Sequence, residues 1–184
     1  RKCNTRSHSE LGSQAFQRQW YFVLRHGRVG HRQAIFTMKN VIIVTGGAGF
    51  VGSNLIEYLL KKTKKKIISI DNYSTGYKKN HIKNKRVKYL KLDTSKIDRL
   101  LVYKKKIHAI FHFGEFARIY QSFKNFDKCF DSNTLGTKAV FKFCLDNKIK
   151  LIYSATSASL GNSGEDKNLS PYAFTKSKNL ELLE

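Results

Sequence analysis

The chain has 184 residues, enough for one sizeable domain. Its formal net charge is +22, from 35 Lys+Arg against 13 Asp+Glu, but the basic residues are dispersed. The densest cluster, Lys78 to Lys91, carries no nucleic-acid motif, so a solvated basic surface is expected and a nucleic-acid partner is not. Cys3, Cys129 and Cys144 form no CxxC pair and no even framework, which argues against a metal site and a disulfide scaffold. No apolar run approaches the ~18 residues of a membrane span, and nothing reads as a signal peptide. A cytoplasmic protein with no membrane partner is the expectation.

Residues 1–37 differ from the rest in being Arg-rich rather than Lys-rich. The only methionine, Met38, opens MKNVIIVTGG. The segment 1–37 is therefore read as an N-terminal extension outside the fold, and 38–184 as the domain.

Val41–Val44 is a short all-apolar run, as expected of a strand buried on both faces. Gly46, Gly49 and Gly52 follow at spacings of three, and then Ser53–Leu60 repeats apolar residues at helical period. This is strand, tight turn, helix. The helix start offers free N–H groups and a positive dipole end, which suits an anion such as a pyrophosphate. A second strand, Ile67–Ile70, ends in Asp71, nineteen residues after Gly52. That is about the ~20-residue spacing of a carboxylate that binds a ribose diol.

Asn72–Gly76 reads as a loop and Val87–Leu92 as a strand ending at Asp93. Ser95 is placed to cap a short helix through Leu101. Ile107–Phe113 is a fourth strand, Phe126–Asn147 a long helix, and Ile149–Tyr153 a fifth strand. Gly161–Leu169 reads as a polar loop. Ser170 then caps a helix with Pro171 at its first position. Strands alternating with helices predict an α/β doubly wound parallel sheet in the order 3-2-1-4-5.

Tyr172 and Lys176 lie four apart, on one face of the last helix. An ammonium near a phenol favours the phenolate, so this spacing predicts a tyrosine with a lowered pKa, able to act as general base or acid. Thr156 or Ser157, just past the fifth strand, is the candidate hydroxyl to relay the proton. His112, at a strand end, reads as structural. Asp93 is open between a ligand contact and a simple turn residue.

TGGAGFVGSNL, Asp71, Asp93, the NTLGT stretch from Asn133 to Thr137, YSATSASLG and YAFTK occur in this order. Together they resemble the extended short-chain dehydrogenase/reductase family, in its nucleotide-sugar epimerase/dehydratase branch. The resemblance runs from Met38 to Glu184 and implies an NAD(P)-binding Rossmann fold. It implies NAD as cofactor and a nucleoside-diphosphate sugar as substrate. In this resemblance Gly46, Gly49 and Gly52 hold the pyrophosphate, with Phe50 and Val51 in the same turn. Asp71 and Asn72 hold the adenosine ribose, Asp93 lies at the adenine, and Phe113 and Gly114 border the cofactor. Asn133 supports the central helix. Thr156, Tyr172 and Lys176 form the catalytic set, with Tyr172 and Lys176 also touching cofactor. Asp71 favours NAD over NADP by repelling a 2′-phosphate.

The implied reaction is epimerisation at C4 by transient oxidation to a keto-sugar. Dehydratases of the family place an acidic pair after the catalytic Thr. This chain has Ser157-Ala158, which favours epimerisation. Two departures stand out: Glu115 where a small residue is common, and Leu160 where Tyr is usual. The resemblance further implies later strands and a substrate domain beyond this chain. It also implies a homodimer built on the Phe126–Asn147 and Pro171 helices.

Overall fold

The computed structural model describes residues 39–157, 165–166 and 168–183. The expected N-terminal extension and most of the Gly161–Leu169 loop lie outside them, as do Ala158 and Leu160.

Five parallel strands form one sheet: β1 (Val41–Thr45), β2 (Lys66–Asp71), β3 (Val87–Lys91), β4 (Ile107–His112) and β5 (Lys150–Tyr153). Their order is β3-β2-β1-β4-β5, as the alternation of strands and helices predicts. β1 is central and pairs in register with β2 from Val41–Lys66 to Thr45–Ile70. All five β1 residues are buried. Ile42 and Val44 pack with Ile56, Leu59, Leu60 and Ile67 on one face. Val41 and Ile43 pack with Ile97, Leu100, Ile110, Val140 and Phe143 on the other. Strict alternation of side chains thus splits one apolar strand between two cores. Each fully buried Ile of this set contributes about 1.5–3 kcal/mol.

Helix α1 (Phe50–Lys62) covers the first face through Gly52, Ile56, Leu59 and Leu60. Arg86 closes its far end, donating to the carbonyls of Leu60 and Thr63, both at 2.5 Å. The cation thereby meets the negative end of the helix dipole. On the second face lie a run of 3-10 turns (Thr94–Lys106) and α4 (Thr137–Asp146). Asp93, not Ser95, caps the 3-10 run: its carboxylate accepts from Ser95 N at 2.9 Å.

The expected long helix Phe126–Asn147 is longer and less regular than its apolar period suggests. It begins with α2 (Ile119–Lys124) and α3 (Phe126–Phe130) and widens into a π-helical turn over Asp131–Gly136. It then continues as α4. The wide turn carries buried Asn133 and buried Gly136, against which Thr94 packs. A Cβ at Gly136 would lie 2.4 Å from Thr94 Oγ1. Helix α5 (Pro171–Leu183) is capped as expected, with Ser170 Oγ accepting from Ala173 N at 3.0 Å.

Candidate active site

The carboxyl ends of β1, β2, β4 and β5 meet the start of α1 and the first turns of α5. Open parallel sheets bind ligands at this edge. Two of the glycines answer first to the fold. Gly46 has φ +68°, and a Cβ there would lie 2.6 Å from the carbonyl oxygen of Phe113. A Cβ on Gly52 would lie 2.2 Å from the carbonyl oxygen of Gly46, so Gly52 lets α1 sit directly on the turn. Gly49 is the N-cap of α1. Beyond it the N–H groups of Phe50, Val51 and Gly52 have no partner within the helix. Only their backbones serve the turn: the Phe50 side chain is 82 % exposed, and Val51 lines a separate groove on the α1 face of the sheet.

Gly46, Gly49, Asp71, Asn72, Phe113 and Gly114 line a narrow cavity of about 70 Å³. A wider cleft of about 590 Å³ adjoins it and shares Asn72, Ser74, Thr75 and Ser132. Asp93, Phe116, Gln121 and Asn125 belong to that wider part. Asp71 is buried at the end of β2, and its two oxygens accept from Ala48 N at 3.0 Å and Tyr73 N at 2.7 Å. Each carboxylate oxygen keeps a second lone pair. Asn72 Nδ2 donates to Asp93 Oδ2 at 2.8 Å, which ties the ends of β2 and β3 together. Burial raises the Asp93 carboxyl pKa, but bonds from Ser95 and Asn72 outweigh it and hold it below the ordinary range. Asp93 is thus a turn residue that also lines the cleft.

A connected polar network fills the other end of the site. Thr45 Oγ1 accepts from Phe113 N at 3.0 Å and Gly114 N at 2.8 Å, and bonds His112 Nδ1 at 2.7 Å. His112 Nε2 bonds Thr137 Oγ1 at 3.0 Å, and that hydroxyl donates to Glu115 Oε1 at 2.9 Å. Glu115 forms a buried ion pair with Lys176. His112 is wholly buried, and burial lowers its pKa to about 4, so it is neutral and structural, as its strand-end position suggested.

Asn133 is also fully buried. It accepts from Phe116 N at 2.7 Å and donates to Phe116 O and Thr175 Oγ1, both at 3.1 Å. It therefore joins the π turn to the segment after β4 and to α5. Thr156 is buried beside Tyr172, and the two side chains are hydrogen-bonded.

The expected electrostatics of Tyr172 need correction. Its pKa is raised: burial contributes most, the Thr156 bond opposes it, and the Glu115 charge adds to it. The Lys176 ammonium is committed elsewhere, donating to Glu115 Oε2 and to the Ser154 carbonyl. Thr45, Glu115, Thr137, Tyr153 and Asn179 are the site residues that motif reasoning passes over. Glu115 was visible only as a departure. Asn179 carried a faint signal, three residues after Lys176 and so on the same helix face.

Fold and cleft define an α/β domain with a parallel sheet and a strand–glycine turn–helix unit at the edge of its cleft. Residues 42–184 match the model of the NAD dependent epimerase/dehydratase family, and the chain belongs to that family. It is 34 % identical over 148 residues to an ADP-L-glycero-D-manno-heptose-6-epimerase of Brachyspira hyodysenteriae, covering 74 % of this chain and 46 % of that protein. It is 32 % identical over 143 residues to a dTDP-D-glucose 4,6-dehydratase of Dictyostelium discoideum, covering 73 % and 32 %. The UDP-Glc/GlcNAc 4-epimerase structure from Campylobacter jejuni superposes with a TM-score of 0.68 at 25 % identity, over 78 % of this chain and 47 % of that one. The chain spans about a third to just under half of the length of these relatives.

Proposed function

We propose that this domain is the NAD-binding and proton-transfer part of an enzyme that epimerises a nucleoside-diphosphate sugar, at C4 of a UDP-hexose or UDP-N-acetylhexosamine. The observation that carries the reading is one edge of one sheet holding both the glycine turn with Asp71 and the bonded pair Thr156–Tyr172. The donor set suits NAD. Free N–H groups of α1 would hold a pyrophosphate, and Asp71 retains acceptor capacity for a ribose diol and would repel a 2′-phosphate. Asn72, Asp93, Phe113 and Gly114 would border the rest of the cofactor.

When bound, NAD supplies the hydride acceptor and donor for transient oxidation of the sugar to a keto-sugar. Tyr172 exchanges the proton of the C4 hydroxyl, taking it as the phenolate, the form that burial disfavours in the domain alone, and returning it after the sugar has turned over. Thr156 holds the Tyr172 phenol in place and orients the hydroxyl. Lys176 fixes the local charge. Asn133 holds α5 against the segment after β4, which keeps Tyr172 at the cleft.

A dehydratase among the relatives raises elimination as a second reading. Elimination needs a carboxylic acid near the leaving group. Ser157 follows Thr156, and the carboxylate nearest the network, Glu115, is 3 % exposed with both oxygens bonded. That disfavours elimination. We further propose a homodimer: Ile119, Tyr120, Phe123 and Phe126 are all more than half exposed on α2 and α3, the helices that pack against α5. Calorimetric titration of the polypeptide with NAD and NADP tests the cofactor, with NAD expected to bind more tightly. Equal affinity, or none, would refute it. Full-length protein incubated with UDP-glucose or UDP-N-acetylglucosamine tests the reaction: formation of the C4 epimer is expected, and a 4-keto-6-deoxy product would establish the dehydratase instead.

A further inference from the structure

The Lys176 side chain is 4 % exposed and its ion-pair partner Glu115 3 %. The ammonium donates to Glu115 Oε2 and to the Ser154 carbonyl, and sits 4.2 Å from the centroid of the Tyr153 ring. An ammonium has three N–H donors. Two are committed, and the ring face takes the remaining side through its negative quadrupole. The carboxylate is held as firmly. Glu115 Oε1 accepts from Thr137 Oγ1 and Tyr153 OH, both at 2.9 Å, and from Asn179 Nδ2 at 3.4 Å. Three separate elements, α4, β5 and α5, therefore converge on one side chain that follows β4.

We propose that Glu115 is a positioning residue for Lys176: it keeps the ammonium charged and fixed at the end of β5, one helical turn from Tyr172. The proposal rests on the reading of Tyr172 as the proton-transfer group. Burial favours the neutral amine at Lys176, and the Glu115 charge and hydrogen bond oppose that. The titratable groups around the ammonium are Glu115 after β4, His112 on β4, Tyr153 on β5 and Tyr172 on its own helix; Cys129 on α3 faces Glu115 and Tyr172. His112 is neutral above its pKa of about 4, and both phenols and the thiol are raised by burial. Glu115 is the member of this set that pairs with the ammonium.

The test is the titration of Lys176 without cofactor, followed by NMR of the lysine 13Cε resonances and assigned with Lys176→Arg. Glu115→Gln preserves the shape and removes the charge. The Lys176 midpoint is expected to fall by at least about one pH unit, a tenfold loss of proton affinity. Glu115→Asp is expected to recover most of it. An unchanged midpoint in Glu115→Gln overturns the proposal, since the carboxylate would then not be what keeps the ammonium charged. Thermal unfolding of Glu115→Gln, Lys176→Met and the double variant provides the check that survives poor folding. Coupling predicts that the double variant loses less than the sum of the two single losses; additive losses overturn it. NAD binding by the unaltered protein is measured separately and bears on the functional reading alone.

Discussion

Acid should destabilise this domain through His112, and the size of the effect follows from its surroundings. The imidazole is wholly buried between the hydroxyls of Thr45 and Thr137, at 2.7 and 3.0 Å. Burial dominates its titration; the opposed charges of Glu115 and Lys176 act in contrary directions. The folded pKa is about 4 against an ordinary 6.5. Above 6.5 the ring is neutral whether the chain is folded or not. Between 6.5 and about 4 the unfolded chain binds a proton that the folded chain refuses, so stability falls as the pH falls. The lost contribution is about 3 kcal/mol, from about 1.4 kcal/mol per pH unit. Urea denaturation of the protein and of His112→Gln, at several pH values from about 7.5 to 4, reads it. Carboxylates such as Asp93 titrate in both proteins and cancel in the difference. The difference in unfolding free energy should change by about 3 kcal/mol across that range. A difference constant to within about 1 kcal/mol would refute the argument.

Three further outcomes follow from the same geometry. Gly52→Ala forces a Cβ against the Gly46 carbonyl, where the ideal separation is 2.2 Å, and should cost about 1–3 kcal/mol in chemical denaturation while weakening NAD binding in calorimetry. Asn133→Ala strips the half-buried Phe116 N–H and carbonyl of their partners and should cost about 1–3 kcal/mol, a loss under about 0.5 kcal/mol counting against the role given to Asn133. Tyr172→Phe should leave the domain folded but lower epimerisation by the complete enzyme at least about a hundredfold; retained turnover would point to a different proton-transfer group.

The sheet order was legible because each signal was local. A five-residue apolar strand, a glycine turn and a carboxylate some twenty residues on are properties of contiguous sequence, and right-handed crossovers then leave little choice of topology. Strand ends were placed within a residue or two for the same reason. The π turn at Asp131–Gly136 was not legible, because its cause is tertiary: Asn133 reaches Phe116, Thr175 and Cys129, and Thr94 presses on Gly136. The electrostatics of Tyr172 failed for a related reason. Spacing alone puts Lys176 beside the phenol, but spacing says nothing of a carboxylate 61 residues away that claims the ammonium first. Motif matching names residues at the carboxyl edge of the sheet and passes over the polar network behind them. Thr45, His112, Thr137 and Glu115 come from three different elements and meet only in the fold.

Tyr153 offers a test of that network from the alkaline side. Its phenol is 2 % exposed, donates to Glu115 Oε1 at 2.9 Å and accepts from Asn179 Nδ2 at 3.2 Å. Burial and then the neighbouring Glu115 charge raise its pKa above the ordinary 10.0. The folded chain therefore keeps a proton that the unfolded chain releases above pH 10, and this contribution to stability is lost as the pH rises. The slope is about 1.4 kcal/mol per pH unit. Tyr153→Phe lacks that slope but deprives Glu115 of a donor, at a cost of about 1–3 kcal/mol near neutrality. The unaltered protein should start more stable and lose its lead within about two pH units above 10, so that the two denaturation curves converge. Tyr172 and the surface lysines titrate in both proteins and drop out of the comparison. Curves that stay parallel from neutral to alkaline pH would mean that Tyr153 is already ionised or solvated in the folded state. The bond that seats Glu115 against Lys176 would then be absent in solution.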